Sequence, residues 1–76
     1  MQFIQESSFT SELDGMANGQ SDDLLLRVEQ ACWYPSQIVR VGYGFVRVDW
    51  NATAFLVWYC VNGDAVTLLS IISARP

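Results

Sequence analysis

The side chains able to do acid–base, nucleophilic or electrostatic chemistry are few in this chain. Its four cations are all arginines (Arg27, Arg40, Arg47 and Arg75), with no lysine and no histidine. Lacking His, it lacks the commonest general base near neutral pH and the commonest zinc ligand. Its serines and threonines have no imidazole or amine to activate them, which argues against a serine-type hydrolase. Asp22-Asp23 with Asp14 or Glu12 offers carboxylates for a metal or an acid–base pair. Carboxylates at a helix start are more simply partners of the helix dipole, and no second ligand cluster accompanies them. Cys32 and Cys60 are too few for a zinc set, and their apolar neighbours indicate two buried free thiols in a reducing compartment. Gly42-Tyr43-Gly44 is too short for a phosphate loop and opens no helix. Trp33, Trp50, Trp58 and the nearby tyrosines have the composition of a base-stacking platform, but in an acidic chain they suit core and interface better.

Charge and length narrow the classes further. Eight acids against four bases give a net charge of −4, the wrong sign for tight binding to nucleic acid or an anionic membrane. The 76 residues make a single domain, 1–76, that buries roughly 60% of its unfolded surface, so its core must be dense. With 51% hydrophobic and 16% charged residues, the chain is not of the disordered class. The longest apolar run, Ala54 to Val61, is far short of the roughly 20 residues of a membrane helix, and the opening residues lack a secretory pattern. The expectation is a cytoplasmic protein with no membrane contact and no cofactor.

The elements that must position these residues fall in two halves. Met1 to Ile4 suits a short strand. Phe9, Leu13, Met16 and Ala17 share one helical face, with Ser7 or Ser8 as N-cap and Asn18-Gly19 as the stop. A second helix opens at Ser21 as cap, carries Asp22 and Asp23 in its first turn, and buries Leu24, Leu25, Val28, Ala31 and Cys32. Pro35 is expected to end it, with Trp33 and Tyr34 closing that end of the core. Strand patterning begins at Ile38, with a tight turn or bulge at Gly42-Tyr43-Gly44. Val46, Val48 and Trp50 then alternate with Phe45, Arg47 and Asp49, and Asn51 to Thr53 turn the chain. Ala54 to Val61 reads as a central strand covered on both faces. Asn62-Gly63 predicts a type I′ hairpin that sets Cys60 opposite Ala65, Tyr59 opposite Val66 and Val57 opposite Leu68. The last strand runs from Ala65 to about Ile72. The fold class is α+β: two N-terminal helices packed on one face of an antiparallel meander sheet of three to four strands.

The order Met1-Gln2-Phe3-Ile4, Phe9-Thr10, Leu13-Asp14, a second helix to Pro35, Gly44 to Trp50 and the Tyr59 to Leu69 hairpin resembles the RelE/HigB-type toxin family of bacterial toxin–antitoxin modules. The resemblance spans nearly the whole chain and implies a RelE/ParE-like scaffold. It also implies cleavage of messenger RNA on the ribosome and an antitoxin partner. The family's basic strand is represented by Val46-Arg47-Val48-Asp49-Trp50, with one cation and an acid where a base is expected. Its Gly- and Lys-rich loop is reduced to Asn51-Ala52-Thr53-Ala54, Leu56 stands at the Arg position of the next strand, and Ile72 and Ala74 replace a closing Tyr and Lys.

Attack by a ribose 2′-hydroxyl needs a proton acceptor and cations for the developing phosphorane charge. The resemblance leaves Arg47, Tyr43 and Tyr59 as catalytic candidates, with Arg40 and Arg47 for RNA phosphates. An unpaired tyrosine, with a pKa near 10, is a poor base at neutral pH. Weak or absent cleavage follows, with action through protein contacts: an antitoxin-like or other protein, or a homodimer, and ribosome and messenger RNA only for an active enzyme. The alternative is a small acidic, phage- or mobile-element-encoded inhibitor of the anti-CRISPR kind, using Glu12, Asp14, Asp22 and Asp23 against a basic protein surface.

Overall fold

The computed structural model describes residues 1–74, so Arg75 lies outside the described residues. Six elements follow in order: β1 (Gln2–Gln5), α1 (Ser7–Met16), α2 (Ser21–Ile38), β2 (Val41–Trp50), β3 (Thr53–Asn62) and β4 (Ala65–Ser73). The sheet order is β1-β4-β3-β2. The last three strands form the expected antiparallel meander, but β1 runs parallel to β4, from Gln2 opposite Ala65 to Gln5 opposite Leu68. The sheet is therefore mixed, not purely antiparallel. The two-helix crossover between β1 and the meander is long enough to return the chain to the same end, which a tight hairpin cannot do.

Both helices cover one face of the sheet. Phe9, Leu13 and Ala17 of the first helical segment and Leu24, Val28 and Cys32 of α2 are buried against Val48, Phe55, Val57, Tyr59, Val61, Val66, Leu68 and Ile71. The i, i+4 spacing on the helices and the period of two on the strands bring these side chains to one layer boundary.

Several local expectations are corrected. Neither Ser7 nor Ser21 caps a helix: Glu6 and Gln20 hold the N-cap positions without a side-chain bond. Ser21 Oγ instead donates to Asp14 Oδ1 at 2.7 Å and ties the two helix ends together. Pro35 does not end α2, which continues to Ile38. Proline there forfeits its own N–H bond and crowds the carbonyl four residues back, but the final turn still closes through Val39 N–H to the Pro35 carbonyl, and Ser36 Oγ donates to the Trp33 carbonyl. Ser36 is buried on the same stripe as Cys32, whereas Trp33 and Tyr34 point outward and do not close the core. Gly42 and Gly44 make no turn, because β2 is continuous through both. Gly44 is required instead by the Tyr59 ring: a Cβ there would lie 2.7 Å from Cζ and Oη.

The Asn51-Ala52 loop has φ of 51° and 62°, the paired positive values of a type I′ turn, so the expected turn forms at that place. At the second hairpin the central residues are Gly63 and Asp64, one position later than expected, with Asn62 opposite Ala65. Gly63 alone takes positive φ (62°), which suits a turn needing it only at the first central residue. The pairing becomes Cys60 with Thr67, Tyr59 with Leu68 and Val57 with Ile71. Next to the turn the register moves by two, which keeps the facing of the paired residues, and beyond Tyr59 a bulge in β4 adds one more, so Val57 moves by three, from Leu68 to Ile71.

Candidate functional site

A bulge in β4 opposite Trp58–Tyr59 separates Leu68 from Ser70 and re-aims the strand. Glu12 of α1 stabilises it. Its Oε1 accepts from the Ile71 N–H and from Ser70 Oγ, both at 3.0 Å. Ser8 Oγ donates to the Leu69 carbonyl beside it. Helix α1 thus covers the stretch of β4 that the short β1 leaves without a neighbour. Beyond the bulge, Ile71 is buried under the helices and Ile72 emerges on the opposite face, which resolves the two adjacent isoleucines into one core and one surface residue.

That opposite face carries no helix. Successive strand residues point to alternate sides, so β2 presents Tyr43, Phe45 and Arg47 there, β3 presents Leu56, Trp58 and Cys60, and β1 presents Ile4. Strand β3 is central but buried on one face only, contrary to the two-sided cover expected of its unbroken apolar run. Tyr43 is 74% exposed, Phe45 67%, Trp58 53% and Ile72 51%. Phe45 lies opposite Trp58, their ring centroids 6.2 Å apart and tilted by 41°, within the roughly 4.5–7 Å range of interacting aromatic pairs. Leu56 floors a shallow apolar depression between Trp58 and Ile72, with Ser70 at its margin.

Of the proposed catalytic groups, Tyr43 and Arg47 share this outer face and Tyr59 does not. Tyr59 projects inward and is almost fully buried, and burial first, then the nearby Cys32, raises its phenol pKa above the ordinary value. A phenol held neutral in this way is further from serving as a base. Arg47 Nε donates to Asp49 Oδ1 at 3.1 Å, and Arg40 Nη2 to Asp64 Oδ1 at 3.0 Å. The two arginines are seven residues apart along extended chain, roughly 23 Å, so they do not converge on one phosphate.

The carboxylates singled out in the sequence are also separated by task. Glu12 holds the bulge, Asp14 accepts from Ser21, and Asp23 Oδ2 accepts from Trp50 Nε1 at 2.9 Å, joining α2 to the end of β2. No group of three or more His, Cys, Asp or Glu side chains suited to a metal occurs among the described residues. Both thiols are free; Cys32 is buried, while Cys60 is only half-buried on the outer face. Burial, with the negative charge of Glu29, pushes the Cys32 thiol up to about 12, so it is inert at neutral pH.

Charge divides with the layers. Glu6, Glu12, Asp14, Asp22, Asp23 and Glu29 all lie on the helices or at their entry, with Arg27 the one cation among them. On the sheet side, Arg47 and Arg40 are each matched by an aspartate. The outer face is therefore apolar and without net charge, whereas the helical side carries the acidity. This aromatic face was not legible as a site in the sequence. The alternation in β2 separates Phe45 and Arg47 from the core set, but in β3 the exposed residues alternate with core residues in a run so apolar that no period marks them. Among the described residues no helix is long and apolar enough to cross a membrane. No family model, curated protein or solved structure matches this chain.

Proposed function

We propose that this protein works by binding another protein through the outer face of its sheet, on a RelE/HigB-like scaffold that lacks the messenger-RNA cleavage of that family. The observation that carries the reading is the composition of that face: Tyr43, Phe45, Trp58 and Ile72 are open to solvent around a half-buried Leu56, with one internally matched ion pair, Arg47–Asp49. Exposed apolar patches of this kind mark protein contact surfaces. Two helices preceding a hairpin-linked sheet support the RelE/ParE-like scaffold. Against cleavage stand the distance between Arg40 and Arg47, the carboxylate beside Arg47, and the burial of Tyr59. Loss of even one preorganised donor at a transition state costs roughly 2.7–4 kcal/mol, and here several are lost together.

The test is expression in a bacterium without an antitoxin, with transcripts mapped for ribosome-dependent cuts and Arg47→Ala as the control. Unimpaired growth and intact transcripts are expected. Growth arrest with cleavage that Arg47→Ala abolishes would overturn the reading and identify a nuclease.

The segregation of carboxylates favours a second reading, an acidic inhibitor whose helical side meets a basic protein. Glu6, Asp22 and Glu29 make no side-chain hydrogen bond or ion pair among the described residues and remain available to such a partner. Capture through that side would weaken steeply with added salt and with Asp22→Asn, whereas capture through the sheet face would not.

A further inference from the structure

We infer that the occupant of the outer sheet face is a second copy of this chain, packed face to face about a two-fold axis with the helices outermost. The inference rests on the reading of that face as a protein contact surface and names its partner.

Charge selects the partner. A chain of net charge −4 repels its own copies, yet its unbalanced carboxylates lie on the helical side, and the sheet face is neutral. In a face-to-face pair each acidic layer stays behind its own sheet, and stacked sheets pack about 10 Å apart. The helical carboxylates of the two copies are then separated by more than the Debye length of about 8 Å at physiological ionic strength, and Asp49 on the sheet face is matched by Arg47. A basic partner would be drawn to the helices and would find nothing to pair with on this face. Edge pairing through β2 would leave Trp58 and Ile72 in water; stacking covers both.

Area and shape agree. Three strands of nine or ten residues and the shorter β1 make a face of roughly 500–600 Å² in projection at about 3.3 Å per residue and 4.8 Å per strand. Standing side chains raise its accessible area towards the ~800 Å² that each partner brings to a stable dimer. Projecting rings (Phe45, Trp58) and a depression floored by Leu56 occur on the same face. A two-fold axis requires this self-complementarity, because one patch must supply both sides of the contact. Two twisted sheets meeting this way give the aligned packing of a sandwich.

Light scattering and sedimentation of the purified chain from 5 to 500 µM test the proposal, with Phe45→Glu/Trp58→Glu as the variant. The expected mass is twice the 8.6 kDa of one chain. The variant should be monomeric with an unchanged circular dichroism spectrum and self-affinity at least a hundredfold weaker. Raising salt from 0.1 to 1 M should not weaken the wild-type dimer. A wild-type monomer at the highest concentration overturns the proposal, as does a dimer that survives both glutamates or dissolves in salt. If the glutamates unfold the chain, Phe45→Ser/Ile72→Ser must give the same dissociation. Cleavage in the expression assay would sink the functional reading independently of this result.

Discussion

Replacing Gly44 by alanine probes the packing of the layer boundary more sharply than any truncation. Gly44 lies opposite Tyr59, and an added Cβ would stand 2.7 Å from Tyr59 Cζ and Oη and 3.2 Å from Cε1. Carbon atoms pack best at about 3.5–4.0 Å, so the ring must retreat by nearly an ångström. Tyr59 is only 6% exposed, so its neighbours resist that movement. Overpacking of this kind costs about 1–3 kcal/mol. The backbone at Gly44 is not in the left-handed region, so alanine is allowed there and recovers about 0.5–1 kcal/mol relative to a strand glycine. The net loss expected is about 1–2 kcal/mol, a fall in Tm of roughly 4–8 °C for each kcal/mol in a domain of this size. Urea unfolding followed by circular dichroism measures it, in the wild-type and Tyr59→Leu backgrounds. Without the ring, the same alanine should be neutral or stabilising, giving a coupling of at least ~1 kcal/mol in the double-mutant cycle. A neutral Gly44→Ala in the wild type, or an equal penalty in both backgrounds, would refute the reasoning.

Three further outcomes are expected. Glu12→Ala should cost about 1–3 kcal/mol in urea unfolding by leaving the Ile71 N–H without its acceptor, and Glu12→Gln should cost less because its carbonyl still accepts. The two hairpins should respond in opposite directions in the same assay. Gly63→Val should lose about 1–2 kcal/mol through strain at positive φ, while Ala52→Gly should gain about 0.5–1 kcal/mol by relieving it. Cys32 has a raised folded-state pKa, so its contribution is intact below the unfolded value of about 8.5–9 and is lost as pH rises towards 12. Stability should therefore fall by about 1 kcal/mol between pH 9 and pH 10 relative to Cys32→Val, and a thiol reagent at pH 8 should label native Cys60 far faster than Cys32.

Periodicity alone was enough to establish the helix–helix–meander order, the core stripe Leu24, Val28 and Cys32, and the inward set Val46, Val48 and Trp50, because each repeats at the interval of its own element. Local residue identity also placed the first turn within Asn51 to Thr53, which the structure narrows to Asn51-Ala52, and brought the second hairpin to within one residue. The parallel addition of β1 to β4, the continuation of α2 through Pro35 and the close approach behind Gly44 depend on contacts between residues distant in the chain, and no neighbouring residue announces them. The same holds for the candidate site. The family resemblance pointed to Arg40, Arg47, Tyr43 and Tyr59 as candidate groups, but only the assembled sheet sends Tyr59 inward and holds Arg40 and Arg47 apart. An unbroken apolar strand reads alike whether one face or both are covered. Which face stays open is decided by where the two helices dock, and that docking puts Phe45 and Trp58 together on the uncovered side.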